Sequence, residues 1–371
     1  MATDTAPVTP AAESEEGGPQ PGMGLAVSGG GYRAMLFHLG SFLRLFETGL
    51  LKQLARVSSV SGGSITSAKV ALEWDRLATR DDFMKRVVGP VRELAGITID
   101  VPSIAGGILL PGTISDRVAR FYREHLFGDA TLQDLPDSIR FVINSTNVET
   151  GSLWRFSKPY MRDYQVGRIS KPTVPLANAV TASSAFPPVL SPFVLEVDAG
   201  DFDVVEPGVD PKFLDNISLT DGGVYDNLGL ETVWKRFDTV FVSDAGGLLP
   251  PDPSPPHDWA RHAKRVLDIV YNQVGALRKR QVIDSYVSKE RTGTYWGIGS
   301  NVDDYHLPDA MAAPFARTKL LAETPTRLQR LSSDQQERLI NWGYAACDTA
   351  LRRHYLPAGT AKPPFPYAIG V

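Results

Sequence analysis

Cysteine and net charge are both scarce in this chain, and each scarcity closes off a class of explanation. A single thiol, Cys347, excludes an intramolecular disulfide framework and any zinc site built on two or more thiolates. A reducing cytoplasm is the compartment this implies. The 38 Lys and Arg stand against 42 Asp and Glu, and four of those acids, Asp4, Glu13, Glu15 and Glu16, fall in the first 22 residues, which hold no Lys or Arg. Without them the body is electroneutral. That argues against broad nucleic-acid binding, which needs a basic surface to displace counterions from phosphates. The opening segment also lacks the basic and apolar regions of a secretory leader, and its Pro, Gly, Ala and acidic composition reads as a disordered tail over 1–22. The longest uncharged stretch, residues 172–195, carries Pro172, Pro175, Pro187, Pro188 and Pro192, which argues against a continuous membrane-spanning helix.

What is present is a chain of 371 residues, 43% hydrophobic, enough for roughly two domains or one large α/β domain. The apolar run 23–28 ends in Gly29, Gly30 and Gly31, and Leu36, Leu39, Leu43 and Phe46 then repeat at helical spacing. This predicts a strand, a tight turn and a helix over 32–48. A second unit follows, with a strand at 57–60, a turn at Ser61-Gly62-Gly63 and a helix over 64–77. Two such units in tandem imply parallel strands with crossover helices. Further strands are expected at 139–144, 153–156, 193–197, 213–219 and 239–243, and helices near 114–126, 176–184 and 227–236. The run PPDPSPP at 250–256 reads as a rigid linker. After it Trp259, Ala263, Val266, Val270, Val274 and Leu277 keep a helical period, and a last helix is expected over 332–355. The resulting division is a tail at 1–22, a core at 23–249 and a helical extension at 250–371 packed on that core.

Three turns carry residues suited to chemistry. Ser59-Val60-Ser61-Gly62-Gly63 has the form of a nucleophile elbow, where a strained strand-to-helix turn lifts a serine out of the sheet. Gly29, Gly30 and Gly31 allow successive backbone N–H groups to converge at a helix start, and without a following Gly-Lys-Ser the better use is an oxyanion hole rather than a phosphate loop. Asp221-Gly222-Gly223 places a carboxylate at a strand end, where α/β sheets carry their sites, although Asp-Gly is also an ordinary turn. Asp226 and Asp244, also near strand ends, read as structural.

In this order, and with Ala182-Ser183-Ser184-Ala185-Phe186-Pro187-Pro188 between the second and third, these pieces resemble the patatin-like phospholipase family over residues 23–245. Two positions depart from its pattern: Ser59 stands for the first elbow glycine and Ala34 for the glycine after Arg33. The resemblance implies a three-layer α/β hydrolase with a central, mostly parallel sheet and C-terminal helices packed on it. It further implies cleavage of fatty-acyl esters of phospholipids or neutral lipids by a Ser61–Asp221 dyad, without cofactor or metal. Gly29, Gly30 and Gly31 would hold the oxyanion, with Arg33 orienting their loop through a carboxylate or a backbone carbonyl. Two other readings stand beside it: an inactive lipid-binding or regulatory protein on the same fold, and a Ser-His-Asp esterase. Of His38, His125, His257, His262, His306 and His354, the last four follow Asp221 in the order such a triad needs. A lipid substrate implies transient contact of a cytoplasmic protein with a membrane surface. The candidate elements are the apolar stretch 97–113, as a lid or a buried connection, and the helix after the linker. That helix carries His262, Lys264, Arg265, Arg278, Lys279 and Arg280, either on anionic headgroups or as a solvated face over a packed apolar stripe.

Overall fold

The computed structural model describes residues 19–99, 113–247 and 249–371. The expected tail, apart from 19–22, and most of the apolar stretch 97–113 lie outside the described residues.

The first unit is strand β1 (Gln20–Val27), the glycine turn and helix α1 (Gly31–Glu47). The second is β2 (Arg56–Val60) and α2 (Gly62–Glu73). There follow α3 (Ile114–Tyr122), β3 (Arg140–Asn147), β4 (Leu153–Phe156), β5 (Tyr160–Asp163), β6 (Gly167–Ser170), α4 (Leu176–Ser183), β7 (Phe193–Leu195) and β8 (Val204–Val205). The chain continues through β9 (Ile217–Asp221), β10 (Phe237–Asp244), α5 (Trp259–Val287), β11 (Thr292–Gly297), α6 (Phe315–Ala322) and α7 (Ser333–His354). The sheet runs β11-β10-β1-β2-β3-β4-β5-β6-β8, with β9 added to β3 and β7 to β9. From β11 to β3 every pairing is parallel, and beyond β3 every pairing is antiparallel. This is the α/β fold that the tandem strand–turn–helix units imply.

Several boundaries move for identifiable reasons. β1 starts at Gln20, inside the expected tail, because Gln20 pairs with Phe237. The strand expected at 213–219 begins only at Ile217: the Asp210 side chain accepts the Lys212 N–H and starts a tight turn, and Asn216 takes a positive φ of 51°. The helix expected at 227–236 is interrupted at Gly229, whose φ is 66°, leaving single turns at Gly223–Asp226 and Glu231–Trp234. β5, β6 and β11 give no signal in the sequence because they are short, at or near the sheet edge, and mix polar residues or glycine among few apolar ones, and β8 gives none because it is only two residues long.

The C-terminal third contributes an edge strand as well as helices. Its α7 buries Leu339, Trp342, Ala346 and Leu351, the positions of its apolar period, and with them all the remaining residues from 339 to 351, so that stretch of the helix is buried all round. Helices α1 and α7 cross with their backbones in contact: a Cβ on Gly40 would overlap the Ile340 carbonyl, and one on Gly343 the Phe37 carbonyl. No side-chain rearrangement relieves a clash with backbone. Gly343→Ala is therefore expected to cost at least about 1–3 kcal/mol, read as a lowered denaturation midpoint; an unchanged midpoint would refute the close crossing.

Candidate active site

Strand β3 brings the two principal residues together. Along one edge it pairs first with β2 in parallel, ending at Val60 opposite Asn144, and then with β9 in antiparallel, ending at Asp221 opposite Ser145. The C-terminal ends of β2 and β9 therefore meet head-on across neighbouring residues of β3. Ser61 leaves the first and Asp221 closes the second. Ser61 has φ 50° and ψ −120°, the strained conformation of an elbow, and is the N-cap of α2. The substituted Ser59 keeps a negative φ, so its side chain is tolerated, and its hydroxyl reaches the Val142 carbonyl at 3.3 Å.

The segment around Ser183 ties both ends in place. Ser61 N–H donates to Ser183 Oγ at 2.9 Å, and the Ser183 and Ser64 hydroxyls are 2.9 Å apart. The Ser183 carbonyl accepts Gly222 N–H at 3.3 Å, and the Ala185 carbonyl accepts Asp221 N–H at 3.0 Å. Ser183 is thus a positioning residue that the motif contained but whose contacts the sequence did not disclose.

Asp221 is fully buried. Its Oδ1 accepts Gly223 N–H at 2.7 Å, while Oδ2 is buried with no hydrogen-bond partner. Burial pushes the carboxyl up to about 7, although the Gly223 N–H and the neighbouring Ser61 hydroxyl both favour the carboxylate. The Ser61 hydroxyl is thus near enough to the carboxyl to act on its charge, the pairing that proton transfer requires.

The glycine turn faces this pair. The Gly29 N–H donates to the Asn227 carbonyl at 3.0 Å, so Gly29 is not a free oxyanion donor, contrary to expectation. Among the described residues the N–H groups of Gly30 and Gly31 make no hydrogen bond. A Cβ on Gly62 would overlap the Gly31 carbonyl, so the turn and the elbow touch backbone to backbone. Arg33 is buried beneath. Its guanidinium donates to the Ala245 carbonyl, to Thr326 Oγ1 at 2.9 Å and to the Thr324 carbonyl, so it ties the turn to carbonyls rather than to a carboxylate. Burial lowers it to about 10, which leaves it charged at neutral pH. Tyr32 N–H donates to the Arg327 carbonyl at 3.0 Å.

Among the described residues no histidine hydrogen-bonds Ser61. His38 lies below the turn, between the Ser28 carbonyl at 3.0 Å and Ser243 Oγ at 2.8 Å, and burial drives it down to about 3, so it is neutral. The geometry gives a Ser-His-Asp arrangement no support.

The patatin-like phospholipase family model matches residues 25–234, more than half the chain. The chain belongs to the patatin-like phospholipase family. No curated protein matches it in sequence. Among solved structures it is similar to human GIVD cytosolic phospholipase A2 in complex with methyl gamma-linolenyl fluorophosphonate and terbium chloride, at 16% identity and a TM-score of 0.50. That match covers 89% of this chain and 57% of the human protein, so the chain spans less than two thirds of it. A further match is VipD from Legionella pneumophila, at 16% identity, 91% and 68% coverage and a TM-score of 0.39.

In this patatin-like chain the other buried acids are structural. Asp226 accepts the N–H groups of Leu228 and Glu231 and faces Arg278 at 3.5 Å. Asp244 meets Lys279 Nζ at 2.6 Å, the Tyr295 hydroxyl at 2.7 Å and Gly246 N–H; burial raises it, but these partners outweigh burial and hold it down to about 2. Arg278 and the part-exposed Lys279 are therefore ion-paired to buried carboxylates rather than free charges on a solvated basic face. Asn227 and Tyr271 are site neighbours without a sequence signal: Asn227 Oδ1 is buried between Gly29 and Gly223, and the Tyr271 hydroxyl of α5 abuts Gly223. A cavity of about 980 Å³ lies elsewhere, against β11 and the end of α5, and includes none of the motif residues. Among the described residues no group of His, Cys, Asp and Glu is arranged to hold a metal ion, and no helix is long and apolar enough to cross a membrane.

The carboxyl's position has a stability consequence. Its folded pKa of about 7 exceeds the unfolded value, so the native state binds the proton more tightly and loses stability as pH rises from about 4 to about 7. Asp221→Asn removes that loss. It should stabilise the fold at pH 8 by up to roughly 4 kcal/mol, at about 1.4 kcal/mol per pH unit, read as a raised melting temperature, and give little gain at pH 4. A gain independent of pH would contradict the raised pKa.

Proposed function

We propose that this chain is a serine acyl hydrolase that cleaves fatty-acyl esters of phospholipids or other lipids through Ser61 and Asp221. The observation that carries the reading is the head-on meeting of β2 and β9 on β3, which sets a strained serine beside a carboxyl with one orphaned oxygen. Ser61 Oγ attacks the ester carbonyl carbon while its proton passes to Asp221. A base raised to about 7 suits this transfer better than an ordinary carboxylate. The oxyanion is held by the Gly30 and Gly31 N–H groups, and the positive end of α2 lies at Ser61. Asp221 returns the proton to the leaving alcohol. Water then attacks the acyl-serine as Asp221 takes its proton, and Asp221 passes that proton to Ser61 Oγ as the acyl–oxygen bond breaks, which releases the fatty acid and restores both residues. No cofactor takes part in this scheme.

Ser61→Ala and Asp221→Asn should each reduce hydrolysis of a soluble short-chain ester at least about 10³-fold with the fold intact. A fluorophosphonate, the probe class found on the human phospholipase, should label the parent at Ser61 and leave Ser61→Ala unlabelled. A folded parent that neither labels nor hydrolyses would instead indicate an inactive lipid-binding protein.

The pH profile offers a separate check. Because the carboxylate form is the base, kcat/KM should fall about tenfold per pH unit below about 7 and level off above it. A flat profile from pH 5 to 8 would remove Asp221 from that role.

A further inference from the structure

Helix α5 is inside out. Of the two readings its period allows, packing of the apolar stripe on the core is not the one observed, and the stripe faces solvent: Trp259 is 85% exposed, Val270 55% and Leu277 59%, with Val266, Leu267, Ile269 and Val274 also exposed. Its protein-facing side carries the ion pairs of Lys279 with Asp244 and of Arg278 with Asp226 and Glu231, and the Tyr286 hydroxyl bonded to the Val240 carbonyl. These polar contacts fix which side of the helix meets the sheet, and the stripe is left outside.

We propose that this outward face is the surface on which the enzyme rests on lipid, with the bilayer or lipid aggregate as its occupant. The inference rests on the acyl-lipid reading of the site. Three observations favour lipid over a second copy of the chain. The apolar residues from Trp259 to Leu277 cover about 160° of the helix at about 3.6 residues per turn, far wider than the two-in-seven seam by which helices pair. Arg280 lies on the same side of the helix as the stripe and is the charge the face offers to anionic headgroups, whereas Arg261 and Lys264 lie toward the opposite side and are ion-paired to Asp258 and Asp268. The same helix also reaches the site: Tyr271 projects from it against Gly223, beside Asp221, and packs edge-on to Phe186 at 6.2 Å. Seating α5 on lipid therefore leaves one helix diameter, roughly 10 Å, between the lipid surface and the site.

The test uses the full chain carrying Ser61→Ala, so that vesicles are not consumed, and phosphatidylcholine vesicles with and without phosphatidylglycerol. Adding Val270→Asp and Leu277→Asp should lower vesicle binding about tenfold or more with an unchanged melting temperature, and phosphatidylglycerol should strengthen the parent's binding. Trp259 gives a reading that needs no disruptive variant: the parent's emission should shift to the blue on vesicles, and Trp259→Phe should lose the shift. Undiminished binding by the aspartate variant, or no shift from Trp259, would overturn the proposal. A dimer dissociated by the same variant, with no vesicle binding by the parent, would overturn it in favour of self-association. Hydrolysis of a soluble ester by the chain with Ser61 intact is measured alongside. Vesicle binding without hydrolysis would sink the hydrolase reading alone, and hydrolysis without vesicle binding the docking surface alone.

Discussion

A single strand edge governs the site. Because β3 gives the first part of one edge to β2 and the rest to β9, two chain segments about 160 residues apart end within one residue of each other. Ladder hydrogen bonds fix backbone positions far more tightly than side-chain packing does. The serine and the carboxyl therefore inherit their separation from the sheet, not from loops that could drift. The switch from parallel to antiparallel pairing at β3 is part of the same arrangement, since a parallel β9 would point its C-terminal end away from β2.

The surroundings work against local stability and are sustained by the core. A non-glycine residue at φ 50° costs about 1–3 kcal/mol, and a buried carboxyl oxygen without a partner adds a comparable penalty. The glycines at 30–31 and 62–63 give up side chains so that backbones can touch, and Gly29 makes room for the Asn227 and Ser61 side chains. Against this stands a continuous apolar core running through α1, α2, α4 and α7. The hydroxyls of Ser59, Ser64 and Ser183 satisfy one another nearby and add rigidity without bringing another ionisable group close to the dyad.

The parts of this that were legible in the sequence are those with local grammar. Strand–glycine–helix units announce themselves through apolar runs and turn residues, and so Ser61, Asp221 and the glycine turn stood out before any geometry was known. What long-range pairing decides was hidden. Nothing near Gly29 shows that Asn227 will take its N–H, and nothing in Ser183 says that its hydroxyl will hold Ser61. The period of α5 is legible and its direction is not, for a simple reason: periodicity reveals a stripe, but the acids waiting on the sheet, Asp226 and Asp244, decide which side turns inward. Short edge strands such as β11 were missed because half-solvated backbone pairing needs no apolar pattern.

The buried Arg33 has a consequence for how the molecule comes into being. Its guanidinium is satisfied by Ala245, Thr324 and Thr326, and the adjoining Tyr32 N–H by Arg327. As the chain emerges from the ribosome, the serine and the carboxyl are both made long before these last partners exist. A buried cation without partners is costly enough to keep its surroundings open. The glycine turn therefore cannot close before residues 324–327 are made, and a nascent chain that already holds both reactive groups waits for its final third before the donors for an oxyanion are fixed in place.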